Sequence, residues 1–392
     1  MSERHAFVGA DIFDGERRVA GHALLIADGR VEAICGTGET PLDATVVRCE
    51  GGLLAPGFID IQVNGGGGVL FNDEPTVDGI ARICAAHARF GATSLLPTVI
   101  TDRPEVMAAA IEAVAEATCI GVAGCLGIHV EGPFIAIARK GAHEAGLIRR
   151  MTGPDLEMLC ATAVRPFVLT LAPESVSNAQ IARLAGAGIH VSIGHSDADH
   201  ATARAAFAAG ARGVTHLFNA MSPLGHRSPG LVGATLECGD VWAGIIADGH
   251  HVHPTALALA LRAKSGPGRL MAISDAMPTV GIDSDTFTLN GRRVVRRDGR
   301  LVLADGTLAG SDLTMIGAVR YLVRTIGLPI EEALRMSALY PARYLGIEAT
   351  RGALTPGAWA DIVWLSDGLD VEAVWIEGRL RVDRSGALGV PV

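Results

Sequence analysis

Basic residues are few in this 392-residue chain: 33 lysines and arginines stand against 42 aspartates and glutamates, for a formal net charge of −9. No Lys/Arg cluster forms a basic stripe, so a surface for duplex nucleic acid is not expected. Cysteine is also sparse and unpaired in pattern. The seven (Cys35, Cys49, Cys84, Cys119, Cys125, Cys160, Cys238) are odd in number and never spaced as C-x-x-C, which argues against a disulfide framework or a cysteine zinc site and favours a reducing compartment. Long apolar runs are missing, and the opening residues MSERHAFVGADIFDG lack the basic start and apolar stretch of a signal peptide. A cytoplasmic protein that does not engage a membrane is expected. Aromatic residues make up only 4% of the chain, and no low-complexity linker or long internal repeat breaks it.

What is abundant is small and aliphatic. Hydrophobic residues reach 49% and there are 49 glycines, a profile of short elements, tight turns and close helix packing. Residues 5–55 read as short strands punctuated by Asp14-Gly15, Asp28-Gly29 and Gly51-Gly52. The segments 352–354, 360–364 and 374–378 have the same texture, so two β flanks could share a sheet. Between them, strand-like runs at 126–131, 168–172, 189–194, 213–217, 243–247 and 270–274 alternate with Ala-rich helical stretches. Repeated β-then-α units imply a parallel sheet, and their number favours an α/β fold of the closed (β/α)8, TIM-like kind over an open doubly wound sheet. The expected domains are residues 1–55 and 347–392, as two parts of a β-sandwich, with a barrel over 56–346.

Chemistry collects at the carboxy-terminal ends of these runs. His129-Val130-Glu131, Gly194-His195-Ser196 and Thr215-His216-Leu217 each close a run. In a barrel those ends form one face, where Glu131, His195 and His216 would converge as one carboxylate and two imidazoles, a three-ligand zinc set with a position left for water. The pattern by itself leaves a second reading open, in which these are hydrogen-bonding core residues. Asp275, in Ile273-Ser274-Asp275-Ala276, could exchange protons with an activated water or simply cap the next segment. Gly65 to Gly68 lacks the Gly-Lys-Ser/Thr of a phosphate loop and reads as a permissive loop near the active face.

Taken together the motifs resemble the N-acetylglucosamine-6-phosphate deacetylase family of the amidohydrolase superfamily, over nearly the whole chain. The resemblance rests on PGFIDIQVNGGGGVLFND at 56–73, HVEGPF at 129–134, KGAH at 140–143, LAPE at 171–174 and GHSDA at 194–198. It continues through THLFNAM at 215–221, GIIADGHHV at 244–252, SDAM at 274–277, TLAGSDLTM at 307–315 and YPAR at 340–343. What it implies is a barrel flanked by a small β-sandwich built from both ends of the chain. It further implies hydrolysis of the acetamide of N-acetylglucosamine 6-phosphate, Glu131, His195 and His216 as metal ligands, Asp275 as acid/base, and His143 polarising the acetamide carbonyl. Ala142, His143, Asn219, Ala220, Arg227, His251, Leu308, Ala309 and Gly310 match the family's substrate positions, with Arg227 and His251 near the phosphate. A homodimer whose neighbouring subunit completes the pocket is implied as well.

Many amidohydrolases carry His-x-His after the first barrel strand for a second metal, whereas this chain has Gln62-Val63-Asn64. Neutral amides are poor ligands beside imidazoles. One divalent ion per subunit is therefore expected, zinc first, with iron, cobalt and manganese also compatible and a weak second ion near Gln62 and Asn64 left open. The alternatives carried forward are the N-acetylgalactosamine 6-phosphate epimer, a deaminase or cyclic-amide hydrolase on the same barrel, and a catalytically silent scaffold.

Overall fold

The computed structural model describes residues 4–386. Eight parallel strands run in sequence order around a barrel: β1 (Phe58–Val63), β2 (Ala92–Ile100), β3 (Ile128–Glu131), β4 (Phe167–Leu171), β5 (His190–Ile193), β6 (Gly213–Val214), β7 (Trp242–Ile246) and β8 (Leu270–Ile273). The seam between β8 and β1 is closed past the strand ends, where Asp275 N donates to Gln62 O at 3.0 Å and Val63 bridges Ala276 in parallel. β1 and β2 are buried along their whole length, as strands with side chains on the lumen side and helices on the other must be.

Each strand is followed by a helix, and the helix starts are written in the sequence. Thr76, Ser177, Asp199 and Thr314 accept from backbone N–H groups two or three positions inside the helices Val77–Ala88, Asn178–Gly186, His200–Ala208 and Met315–Arg324, satisfying donors that a first turn otherwise leaves open. Pro104 and Pro254 begin two others, where the missing N–H costs nothing.

Two antiparallel-rich sheets built from residues before and after the barrel pack as a sandwich. One has the order Arg30–Gly36, His22–Ala27, Arg4–Val8, Thr45–Arg48; the other runs Arg379–Asp383, Val371–Ile376, Ile362–Leu365, Leu53–Pro56, Asp11–Phe13, Arg18–Val19. Between them lie Phe7, Leu24, Ile26, Leu54, Ile362, Trp364 and Trp375. Residues 352–354, expected as a strand, form a bend instead: Gly352 sits at φ +85° with no space for a Cβ beside Ala342 and Ala338. Leu354 nevertheless reaches the sandwich core, which explains its apolar character without a strand.

Two further departures concern the catalytic face. The four-glycine run is an ordered hairpin, Gly65–Gly66 against Val69–Leu70, pinned to the β8 exit by Gly65 N to Ala276 O at 3.0 Å. A Cβ on Gly65 would lie 2.3 Å from Val69 O, so here glycine serves close approach. A three-stranded sheet, Thr286–Leu289, Arg292–Arg297 and Arg300–Val302, is inserted after β8 and packs Leu289, Val294 and Leu301 against Leu70, Ile100 and Met277 beside the barrel mouth.

Candidate active site

Glu131 is the last residue of β3, while His195, His216 and Asp275 lie just beyond β5, β6 and β8. All four are buried. The chain turns abruptly at three of these exits: His195, His216 and Asp275 have φ of 48°, 32° and 53°. Side chains rarely adopt that region, and such strain persists only where surrounding structure enforces it. The positive φ at His216 also explains why β6 ends at Val214, short of the strand expected through residue 217.

The ligand atoms of Glu131, His195 and His216 lie within 4.8 Å of one another. His195 Nε2 and His216 Nε2 approach Glu131 Oε1 at 3.2 and 3.1 Å, and each other at 3.1 Å. His195 Nδ1 is 2.8 Å from the Arg139 carbonyl, which can only accept, so Nδ1 carries the proton and Nε2 of the neutral ring presents a lone pair. Two imidazole nitrogens and a carboxylate oxygen thus face one point, and a single proton can bridge only one pair of them. A divalent cation satisfies all three at once, and the set matches known zinc chemistry. Among the described residues this is the one His/Cys/Asp/Glu grouping with metal-ligand spacing.

Asp275 is held from the side by amides. Gln62 Nε2 donates to Asp275 Oδ1 and to Glu131 Oε2, both at 3.1 Å, and Asn64 Nδ2 donates to Asp275 Oδ1 at 2.7 Å. Burial, then the neighbouring Glu131 charge, push Asp275 up to about 6, inside the range where a carboxylate exchanges protons near neutrality. His143 sits with its Nδ1 2.7 Å from Thr101 Oγ1, and its ring centroid is 4.4 Å from that of His195. Burial, then His195, drive His143 down to about 3, so the ring is neutral.

A cavity of about 380 Å³ opens over these groups, within the usual size of a small-molecule site. Of the residues matched to the family's substrate positions, Ala142, His143, Asn219, Ala220, His251, Leu308 and Gly310 line it. Ala309 does not: its side chain is buried with Met277 and Leu301 beneath the inserted sheet. Arg227 does not either, being exposed on the loop between β6 and the helix Gly230–Glu237, outside the cavity of its own chain. His251 is oriented by Asp248, whose Oδ2 lies 2.6 Å from Nδ1 and whose Oδ1 accepts from the His250 and His251 backbone.

Several contributors escaped the sequence reading. Arg139 lines the cavity while its guanidinium pairs with Asp197 at 2.7 Å. Leu289 and Thr307 come from the inserted sheet and the turn after it. A usable signal existed, since Asn290-Gly291 and Asp298-Gly299, both at positive φ, are hairpin-turn pairs flanked by alternating residues.

A family model described as the amidohydrolase family matches residues 53–381. An N-acetylgalactosamine-6-phosphate deacetylase of Shewanella sp. (strain ANA-3) is 43% identical over 363 residues, 91% of each chain. The N-acetylglucosamine-6-phosphate deacetylase of Homo sapiens is 40% identical over 348 residues, 85% of this chain and 84% of the relative. Among solved structures, N-acetylglucosamine-6-phosphate deacetylase from Pasteurella multocida superposes with a TM-score of 0.93 at 34% identity, covering 96% of this chain and 99% of that one. An aspartate-to-alanine mutant of the Mycobacterium smegmatis enzyme, in complex with N-acetyl-D-glucosamine 6-phosphate, gives 0.89 at 33% identity over 97% of this chain and all of that one.

Proposed function

Because the chain belongs to the amidohydrolase family, we propose that its buried Glu131, His195, His216 and Asp275 hydrolyse the acetamide of N-acetylglucosamine 6-phosphate to glucosamine 6-phosphate and acetate. The observation that carries this reading is the convergence of three electron-pair donors on one point beside a carboxylate whose proton affinity is raised. The names of the relatives at 40% identity and of the solved structures supply the substrate. The first cation to consider at the ligand set is zinc, with iron, cobalt and manganese as alternatives.

A divalent cation bound by Glu131, His195 and His216 supplies Lewis acidity, lowering the pKa of water and polarising a carbonyl. The chain's own groups do the rest. Asp275 takes the proton of the attacking water and then delivers it to the departing amine, a shuttle that a carboxyl near 6 can run in both directions. Gln62 and Asn64 hold its Oδ1, so Oδ2 is the atom left to carry the proton. A Thr101 hydroxyl turned to donate to His143 Nδ1 would leave the neutral ring its proton on Nε2, able to hydrogen-bond the carbonyl oxygen as charge grows there. Burial of Glu131, His195, His216, Asp275 and His143 lowers the local dielectric, which strengthens each of these interactions.

His251, oriented by the Asp248 carboxylate, is the ring this chain offers to the sugar phosphate. Arg227 joins it in our reading only from a second copy, because its own cavity does not include it. A guanidinium suits the phosphate fork, and a homodimer is the simplest way to deliver it.

The galactosamine epimer is a second reading, favoured by the 43% identical Shewanella relative. Acetate release from the two phosphorylated epimers and from unphosphorylated N-acetylglucosamine, on protein of measured metal content, tests both. Faster turnover of the glucosamine substrate, with the unphosphorylated sugar poor, supports the first reading. A preference for the galactosamine epimer selects the second, and no release from either by fully metallated protein refutes both.

A further inference from the structure

One layer below the ligands, toward the amino-terminal ends of the strands, a chain of polar side chains crosses the barrel lumen. Ser192 Oγ lies 2.6 Å from Thr215 Oγ1, which lies 2.6 Å from Thr170 Oγ1, which lies 2.7 Å from His129 Nε2. His129 Nδ1 reaches Thr98 Oγ1 at 3.4 Å. All five residues are buried, and one comes from each of five successive strands or strand exits, β2 to β6.

The direction of the chain is fixed at one end. Thr98 Oγ1 accepts from Val63 N–H and donates to the Leu96 carbonyl, so toward His129 it can only accept. His129 therefore carries its proton on Nδ1, and Nε2 accepts from Thr170. Thr170, its own proton committed, accepts from Thr215, and Thr215 accepts from Ser192. Within the chain every donor is used once, so turning Thr170 or Thr215 leaves a buried group unpaired.

The placement relative to the ligands is what gives this chain a function beyond filling the lumen. His129 is two residues before Glu131 on β3, Ser192 three before His195, and Thr215 directly precedes His216. Backbone pairing is thinnest at that place: β6 has two residues, joined to β5 and to β7 by two register pairs each. Beyond them the chain turns into the strained backbone of His195 and His216. Gly194 is pressed against this network, since a Cβ there would lie 2.8 Å from Thr170 Cγ2 and from Thr215 Cβ.

We infer that the His129–Thr170–Thr215–Ser192 chain positions the metal ligands, its side chains holding the exits of β3, β5 and β6 in register where the strand ladder is too short to do so. The inference rests on reading Glu131, His195 and His216 as the ligands. The members touch neither metal nor substrate and are positioning residues.

Thr215→Val and Thr170→Val remove a hydroxyl at nearly constant volume, Thr215→Ser restores it, and Ser192→Ala cuts the far end should either valine variant fold poorly. The readouts are zinc affinity by chelator competition and the visible absorption of the cobalt-substituted protein, beside the melting temperature of metal-free samples. We expect the valine variants to lose about 10- to 100-fold in zinc affinity and to alter the cobalt spectrum, with Ser192→Ala weaker and Thr215→Ser close to the parent. Valine variants that melt lower yet bind zinc as the parent does, with an unchanged cobalt spectrum, would overturn the inference and leave a purely structural network. If Glu131→Gln binds zinc like the parent, the ligand reading itself fails, and this inference with it.

Discussion

Two buried clusters of charge in this molecule are built on opposite principles. In the sandwich, Arg351 contacts Asp361 and bonds Glu377 at 2.6 Å, and the Glu377 backbone N–H donates to the other Asp361 oxygen at 2.9 Å. A half-buried arginine there compensates the buried acid within the fold. In the barrel, Glu131, Asp275 and Asp60 are all buried, yet among the described residues no lysine or arginine bonds any of them, and their supports are amides, imidazoles and backbone. The sandwich closes its electrostatics internally. The barrel has no such pairing, and a cation held by Glu131, His195 and His216 would supply the compensating charge.

The comparison breaks most visibly at Asp275. Asp275→Asn keeps the shape and the Gln62 and Asn64 contacts while removing the proton acceptor, so turnover should fall by about 10²- to 10⁴-fold with bound metal, read by elemental analysis, unchanged. Substantial residual turnover would remove Asp275 from the mechanism. The converse change belongs to the sandwich: Arg351→Met strands Asp361 and should cost about 3–5 kcal/mol in urea unfolding, with turnover of the folded fraction intact. A neutral result there would mean that the sandwich charge is as open as that of the barrel.

Stripping metal with a chelator sharpens the contrast from the other side. A ligand present at roughly 100 times its dissociation constant stabilises by about 2.7 kcal/mol, so the metal-free protein should melt at lower temperature, and Arg351→Met should lower both forms equally. The smallest effect lies at Asp60. Its Oδ1 accepts from the Gln62 and Ser274 backbone, its Oδ2 has no partner, and burial pushes it up to about 7. The folded state then holds a proton that the unfolded chain releases near 4, so this residue's contribution to stability is fully present below 4 and declines as pH rises to 7. Asp60→Asn lacks that decline. Its melting temperature relative to the parent should rise between pH 5 and pH 8; a pH-independent difference would show that Asp60 does not titrate in this way.

Much of the barrel could be read from the chain because its functional residues sit where apolar runs stop. Glu131 ends a buried strand and His195, His216 and Asp275 follow one, so period and position bring them to one face, while the roles expected of them came from the family resemblance. Residues 352–354 show where that method fails, since an apolar triplet looks the same in a strand and in a bend that buries Leu354. Arg227 shows a different limit: no local pattern says that a loop arginine faces away from its own cavity. The tautomer of His195 was equally hidden, because it is set by a carbonyl 56 residues earlier in sequence.

The sandwich has a consequence for how the protein is made. Leu53–Pro56 pairs with Ile362–Leu365, so a strand that leaves the ribosome early must wait for a partner synthesised roughly 300 residues later, about 15–60 s at typical elongation rates. For that interval one edge of an apolar strand stands unpaired, a template for wrong partners. The barrel that will carry the chemistry is being completed during the same wait, so the nascent chain holds most of a catalytic domain tethered to half a sandwich. Slowing translation late in the message should therefore harm yield more than slowing it early.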